Sequence, residues 1–400
     1  MTINLRTAIN FIIIFVLAST PFISYGEVGS LLSGEVATEV KTPIYVKVIK
    51  DVGFILIMII SSIHILKKRR IEFNSLFLRI FSLSTIMLFF LSWINLSFSY
   101  AAAGIRWAIP IALPFFLIQY VDDVLMNKIA KLLFIILIIQ VLMQIYQIFT
   151  IGNIYGINFM GLAARPPGIF QGPVSAGFFS IMVLFFIYFF LNSRSVKVVT
   201  FVLSFISIIL ATSGTSIIVY MLFVCFVVLS KKYRKVFFQI SPLFVVMFLP
   251  IMIFVAGRGE SYFEQSFMTR VNVFTDLLMN GELISTRFGS STNTVAMYAA
   301  MINEEYSIIP ADSIYSSIIG NIGLLGFFLF VLLFLFLVIY AIRVNRLDLY
   351  LFIIIFALFG MTTIFLEVFP VNLLFSIYIA YILRNRFKQS CLRKEAYSIA

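Results

Sequence analysis

The chain has 400 residues, of which 62% are hydrophobic and only 12% charged, against roughly 25% charged in a soluble globular protein. Together with a mean hydropathy of +1.09, this excludes a soluble fold. The long unbroken apolar runs exclude a β-barrel, whose strands alternate polar and apolar residues.

About 20 apolar residues carry a helix across the hydrocarbon core. Twelve spans are expected on that basis, near 8–25, 52–66, 76–98, 107–121, 131–150, 175–192, 198–212, 215–230, 236–256, 314–342, 349–366 and 369–383. The first has Arg6 ahead of an apolar run, like a signal peptide, but lacks an A-x-A cleavage site and is read as a retained helix. Segment 26–51 reads as a simple loop. Segment 151–174 holds Ala-Arg-Pro-Pro-Gly, whose prolines and glycines argue for a structured re-entrant or capping loop rather than a continuing helix. The run over 198–230 is too long for one span, and Ser213-Gly214-Thr215 is its natural break. Residues 257–312 form one long polar interruption with Arg258, Arg270, Arg287, seven carboxylates and no lysine. A carrier that only moves a solute has little use for such a loop, whereas an enzyme acting on a membrane-bound polar substrate does.

Cytoplasmic loops collect Lys and Arg. With the N-terminus inside, the inner loops and tail hold 21 of the 29 basic residues. This places both termini in the cytoplasm and the 257–312 loop outside. The net charge of +12 therefore reflects orientation and gives no ground for nucleic-acid binding. Cys225 falls in a span and Cys391 in the tail, so no external disulfide is expected. One polytopic membrane domain over 1–400 is expected, with loops 151–174 and 257–312 forming its active face.

Beyond residue 50, every basic residue placed outside is arginine: Arg106, Arg165, Arg258, Arg270 and Arg287. The planar guanidinium binds phosphate or carboxylate through two parallel hydrogen bonds and stays charged, whereas lysine is a mobile point charge. A rim of arginines suits a diphosphate at headgroup level; the plainer reading is that they anchor loops to phospholipid or pair with loop carboxylates. Within the large loop Phe263, Phe267, Phe274 and Leu278 recur at helical spacing, which predicts an amphipathic helix on the membrane with Arg270 facing to its side. The loop's acids are Glu260, Glu264, Asp276, Glu282, Glu304, Glu305 and Asp312. Asp312 stands where the chain re-enters the membrane and is the best candidate for a base; the others read as solvated surface charges. The single histidine, His64, lies near the cytoplasmic side, and no metal constellation or cofactor motif is present.

On these residues the chain resembles the bacterial O-antigen polymerase (Wzy-type) and ligase superfamily. Polymerases of that group are described with an Arg-x10-Gly pattern in two external loops. Arg270 and Gly281 fit it, while Arg165 and Gly177 are one residue too far apart. The stretch from Asp312 through Gly320, Gly323 and Gly326 looks like the family's segment leading into a Gly-x-x-Gly helix, and Ser213-Gly214-Thr215-Ser216 resembles its polar helix break. Ligases carry a histidine just before that late helix; this chain has Pro310-Ala311-Asp312 there.

The resemblance implies an all-α, GT-C-like inverting glycosyltransferase of the inner membrane, with about twelve spans and no metal. It would polymerise undecaprenyl-diphosphate-linked oligosaccharide units on the periplasmic face. Arg270, Arg165 and Asp312 would then be catalytic, and Arg106, Arg258, Arg287 and Gly281 would hold the diphosphates. A chain-length regulator and a flippase would be partners. The alternatives are a ligase, opposed by the absent histidine, and a flippase or other transporter. Either kind of transporter needs charged or polar residues along its helices, and here the spans are nearly free of charge.

Overall fold

The computed structural model describes residues 5–26, 28, 42–67, 73–151, 166–229, 261–292, 313–344 and 346–399. Among them there is no β-strand. The helices are α1 (Leu5–Ala18), α2 (Ile44–Lys67), α3 (Phe73–Asn95), α4 (Phe98–Leu117), α5 (Asp123–Ile151), α6 (Pro173–Phe190), α7 (Arg194–Ala211), α8 (Gly214–Val228), α9 (Ser261–Asn280), α10 (Ile314–Ile322), α11 (Leu324–Val344), α12 (Leu347–Gly360) and α13 (Val371–Ile399). Among the described residues six segments are long and apolar enough to cross a membrane: Leu5–Phe22, α4, Asp123–Phe149, α6, α7 and α11. Four further apolar helices are shorter: Leu83–Asn95, α8, α12 and Val371–Asn385. This is the character of a membrane-spanning all-α protein.

Local chemistry explains the ends of these helices. Asp122 accepts from the Leu125 amide at 2.9 Å and caps α5. Pro173, with no N–H to lose, opens α6. The break expected at 213–215 is present: Thr212 takes a left-handed conformation (φ 46°) that ends α7, and α8 starts at Gly214. Two expectations are corrected. Segment 26–51 is not wholly a loop, since α2 begins at Ile44. The span near 314–342 is two helices, α10 and α11, divided at Gly323 (φ 97°). The expected span near 236–256 lies outside the described residues.

The helices sort into two compact units. The first comprises residues 1–78, 109–217 and 368–400. Its core is α6, a helix apolar on every side, with Phe178, Phe179, Phe185 and Phe186 fully buried. α5 and α7 pack on α6, and Tyr378 of α13 meets Phe185 edge-on at 5.1 Å. At one end of this unit the turn before α5 gathers both ends of the chain. Asp122 pairs with Arg6 of α1, Asp123 accepts from the Tyr381 hydroxyl at 2.7 Å, and the Arg384 guanidinium donates to the Val121 carbonyl. α1 thus starts at the end of the unit that residue 384 reaches.

The second unit comprises residues 79–108 and 218–367. In it α10 packs against α9 and α11, and α11 against α12. The Phe274 ring of α9 meets Phe327 of α11 at 5.8 Å. The Tyr315 hydroxyl of α10 donates to the Ala357 carbonyl of α12 at 2.9 Å. Ile314 packs where a Cβ at Gly360 would fall.

Asp122 serves as both cap and ion-pair partner, so two substitutions separate its roles. Asp122→Asn keeps the cap oxygen and is expected to cost little, because the ion pair is partly solvent-exposed. Asp122→Ala should cost about 1 kcal/mol more, the usual value of a lost cap. Thermal unfolding of the detergent-solubilised variants measures the difference.

Candidate functional site

Two segments of irregular backbone are held by buried amide side chains, one in each unit. In the first, Gln140, Gln144 and Gln147 lie on one face of α5, at i, i+4 and i+7, and all are fully buried. They bind the Pro-Pro-Gly-Ile segment directly after Arg165. The Gln140 amide donates to the Pro167 carbonyl at 3.0 Å and accepts from the Ile169 amide at 2.8 Å. Gln144 donates to the Pro166 carbonyl at 3.0 Å and to the Ser207 carbonyl of α7 at 3.1 Å. Gln147 donates to the Gly168 carbonyl at 2.8 Å and accepts from its amide at 2.7 Å.

Away from water an unpaired backbone group is costly, so non-helical chain survives at such depth only when protein supplies its partners. Two consecutive prolines lower the demand for acceptors by lacking N–H groups. Gly168 is left-handed (φ 66°), and a side chain there would overlap the Gln140 amide. Residues 166–172 are non-helical, with Pro166 to Phe170 buried, so this part of the segment is a structured loop and not a continuing helix.

In the second unit the chain leaves α9 at Asn280 and runs along α10 as an extended loop, 281–292. The Leu324 and Leu325 amides, which open α11 and have no partner within that helix, donate to the Glu282 and Leu283 carbonyls at 3.0 and 3.1 Å. The Ser285 amide donates to the Ile322 carbonyl at 3.1 Å. This pairing divides α10 from α11. It also demands glycine at 323, since a Cβ there would meet Leu283, Ile284 and Ser285 backbone atoms at 2.6–2.8 Å.

Asn321, fully buried, holds the far end of the loop. Its Oδ1 accepts from the Gly289 and Ser291 amides at 3.0 and 3.1 Å, and its Nδ2 donates to the Ser291 carbonyl at 3.2 Å. Ser317 adds a bond to the same carbonyl at 2.7 Å. The Ser92 hydroxyl of α3 donates to the Phe288 carbonyl at 2.6 Å. The buried Phe288 ring occupies the space where a side chain at Gly104 would fall.

This stitching leaves an open cleft of about 550 Å³ between the C-terminal end of α9, the loop, α10 and the start of α4. Its polar lining includes Asp276, Asn280, Glu282 and Arg287, and Tyr100 and Leu96 contribute part of its apolar wall. Asp276, Asn280, Glu282 and Arg287 are exposed. The Glu282 carboxylate accepts from the Thr286 amide at 2.8 Å, which fixes its position within the loop. The Ser285 hydroxyl accepts from the Arg287 amide at 3.1 Å and donates to the Gly320 carbonyl at 2.7 Å. Gly320 leaves room for Ser291, whose hydroxyl a Cβ at 320 would overlap.

Of the residues singled out in the sequence, Gly281 and Arg287 line this cleft, together with the loop acids Asp276 and Glu282 and with Gly320. Arg270 and Arg106 stand in the same unit on α9 and α4, partly buried, and are not among the lining residues. Arg165, Arg258 and Asp312 lie outside the described residues, as do Glu260, Glu304 and Glu305. The predicted helix across Phe274 and Leu278 is present as α9. At 100° per residue Phe263, Phe274, Phe267 and Leu278 all fall on one side of Arg270, which lies about 50° from the centre of their stripe and so flanks it.

The same arithmetic gives the Arg-x10-Gly spacing a physical meaning. Eleven residues are about 20° more than three whole turns, so Arg270 and Gly281 share one face of α9 and its immediate continuation. At Gly281 a Cβ would overlap the Leu277 carbonyl and meet Ile319 of α10 at 3.2 Å, so only glycine lets α10 approach there. Sequence reading missed the three glutamines and Asn321. Their signal was visible, as amides at one helical face in apolar helices and an Asn between two glycines. No group of three or more His, Cys, Asp or Glu among the described residues is arranged to hold a metal.

No protein-family model matches the chain, and neither the curated proteins nor the solved structures contain a match to it.

Gln140→Leu would strand the Pro167 carbonyl and the Ile169 amide in an apolar interior. At about 1–3 kcal/mol for each stranded group, the expected cost is at least about 2 kcal/mol. It should appear as a lower unfolding temperature in detergent than that of wild type or of Leu137→Met, a volume-conserving control on the same helix.

Proposed function

We propose that the chain is a membrane-embedded, Wzy-type glycosyltransferase. It joins undecaprenyl-diphosphate-linked oligosaccharide units into O-antigen or a related surface polysaccharide at the periplasmic face of the bacterial inner membrane. The observation that carries this reading is the arrangement at the C-terminal end of α9. There Arg270 and Gly281 share one helical stripe, and Gly281 opens onto a polar cleft whose loop is locked to α10. A passage for solute would instead place its polar groups along the spans.

The chemistry requires a hydroxyl at the nonreducing end of one unit to attack C1 of the sugar that carries the growing chain on a second carrier. The C1–O bond to the diphosphate breaks, configuration at C1 inverts, and undecaprenyl diphosphate departs with the bonding pair. The hydroxyl's proton passes to a base or to water. Arginine serves the departing diphosphate because its charge is permanent and its fork matches two phosphate oxygens. Arg270 and Arg165 are assigned that task, with Arg106 and Arg258 holding the diphosphates and Asp312 as the base.

The clamp on Pro166, Pro167 and Gly168 supports the assignment of Arg165, because it fixes the backbone immediately after it. The shared end of α1 and α13 supports a topology with both termini on one side, here the cytoplasm. The active face would meet its lipid-linked substrate, delivered by a flippase, in the outer leaflet, and a chain-length regulator would set polymer size.

Deletion of the gene is expected to leave surface polysaccharide with a single repeat unit and no ladder on a gel; a fully rough profile would indicate a ligase or flippase. Arg270→Ala and Arg165→Ala should each lower polymer yield at least about tenfold at normal protein level, consistent with loss of a charge-assisted bond of about 1.5–3 kcal/mol. Arg270→Lys should fail as well, since lysine lacks the fork. Normal ladders from both alanine variants would remove these residues from the mechanism.

A further inference from the structure

We infer that the cleft beside α9 is the subsite for the sugar end of the acceptor, and that it selects a neutral or amino sugar and excludes an acidic one. The inference rests on the glycosyltransferase reading above and moves Gly281 and Arg287 from diphosphate binding to sugar recognition. Its basis is the charge inside the cleft. Among the described residues, the charged ones that line it are Asp276, Glu282 and Arg287, two carboxylates against one guanidinium. A diphosphate, or the carboxylate of a uronic acid, would enter against a net negative charge.

A ring of hydroxyls fits the same lining. A carboxylate accepts two O–H donors at once, the Asn280 amide both donates and accepts, and Arg287 supplies donors only. Asp276 and Asn280 stand one turn apart on the same face of α9, so together they can span neighbouring hydroxyls. Leu96 and Tyr100 give part of the wall an apolar surface for the C–H side of a ring. The volume, about 550 Å³, falls within the roughly 300–1,000 Å³ of small-molecule sites. Hydrogen bonds within the loop and to α10 and α11 hold the backbone at Glu282 and Arg287 in place before any ligand arrives.

The test uses the full chain in lipid nanodiscs and three probes. The first is the oligosaccharide unit released from the host's own surface polysaccharide, free of lipid and phosphate. The second is the same unit with its primary alcohols oxidised to carboxylates, and the third is inorganic pyrophosphate. Saturation-transfer NMR and a competition titration give relative affinities. The parent oligosaccharide is expected to bind, and Asp276→Ala to weaken it about tenfold, the effect of losing a charged hydrogen bond. The oxidised form should bind at least about tenfold more weakly than the parent, and the double variant Asp276→Asn, Glu282→Gln should recover much of that loss. Pyrophosphate should not displace the sugar.

Three results would each overturn the inference: no sugar binding that depends on Asp276, equal binding of the oxidised form, or displacement by pyrophosphate. Asp276 is exposed and Gln at 282 keeps an acceptor for Thr286, so neither change threatens folding. A lost ladder in the deletion strain together with Asp276-independent binding sinks the subsite and leaves the polymerase. An intact ladder together with Asp276-dependent sugar binding sinks the polymerase, and with it the acceptor role, and leaves a sugar-binding cleft.

Discussion

The buried irregular segments described in this chain depend on one constraint: a backbone amide or carbonyl removed from water must find a partner inside the protein. Helices meet it internally, which is why an apolar chain of this kind is helical wherever it can be. Where the chain leaves helical form yet stays buried, side-chain amides take over. Gln140, Gln144 and Gln147 do this for residues 166–169, and Asn321 does it for residues 289 and 291. An amide suits the task because it carries a donor and an acceptor at one end without a charge to desolvate. A carboxylate or an ammonium group in the same place would carry a far larger penalty.

The same constraint determines where the candidate site is rigid. The first amides of α11 have no partner within their own helix, and the loop after α9 supplies carbonyls to two of them. A helix start and a loop therefore satisfy each other, and Gly323 is what lets them approach. Because the loop is fixed at both ends, Glu282 and Arg287 are presented on a defined backbone although both side chains reach solvent. Preorganisation of this kind lowers the ordering cost when a polar ligand binds.

Much of this was legible in the residues. Hydropathy marked the apolar helices, Ser213-Gly214 marked a real break, and Phe274 and Leu278 marked α9. The division at Gly323 was not legible, because Leu324–Val344 continues the apolar run without a polar interruption and only the backbone conformation of one glycine separates the helices. The glutamines escaped notice because attention to charge passes over neutral amides, although their i, i+4, i+7 spacing in α5 has the same form as any buried face.

The arrangement along α9 also bears on how one polar loop could serve two chemically opposed groups. A diphosphate wants fixed positive charge and no carboxylates nearby, while a sugar hydroxyl that must be oriented, and in the end deprotonated, wants carboxylates. Packed together, Asp276, Glu282 and Arg270 would neutralise one another and suit neither. Along a helix they can be kept apart. Arg270 lies six residues before Asp276, about 9 Å along the axis at 1.5 Å per residue, close to the Debye length of about 8–10 Å at physiological ionic strength. The helix thus gives the acid end and the arginine end partly independent fields. Gly281, eleven residues from Arg270 and on the same face, is where the acidic end meets α10.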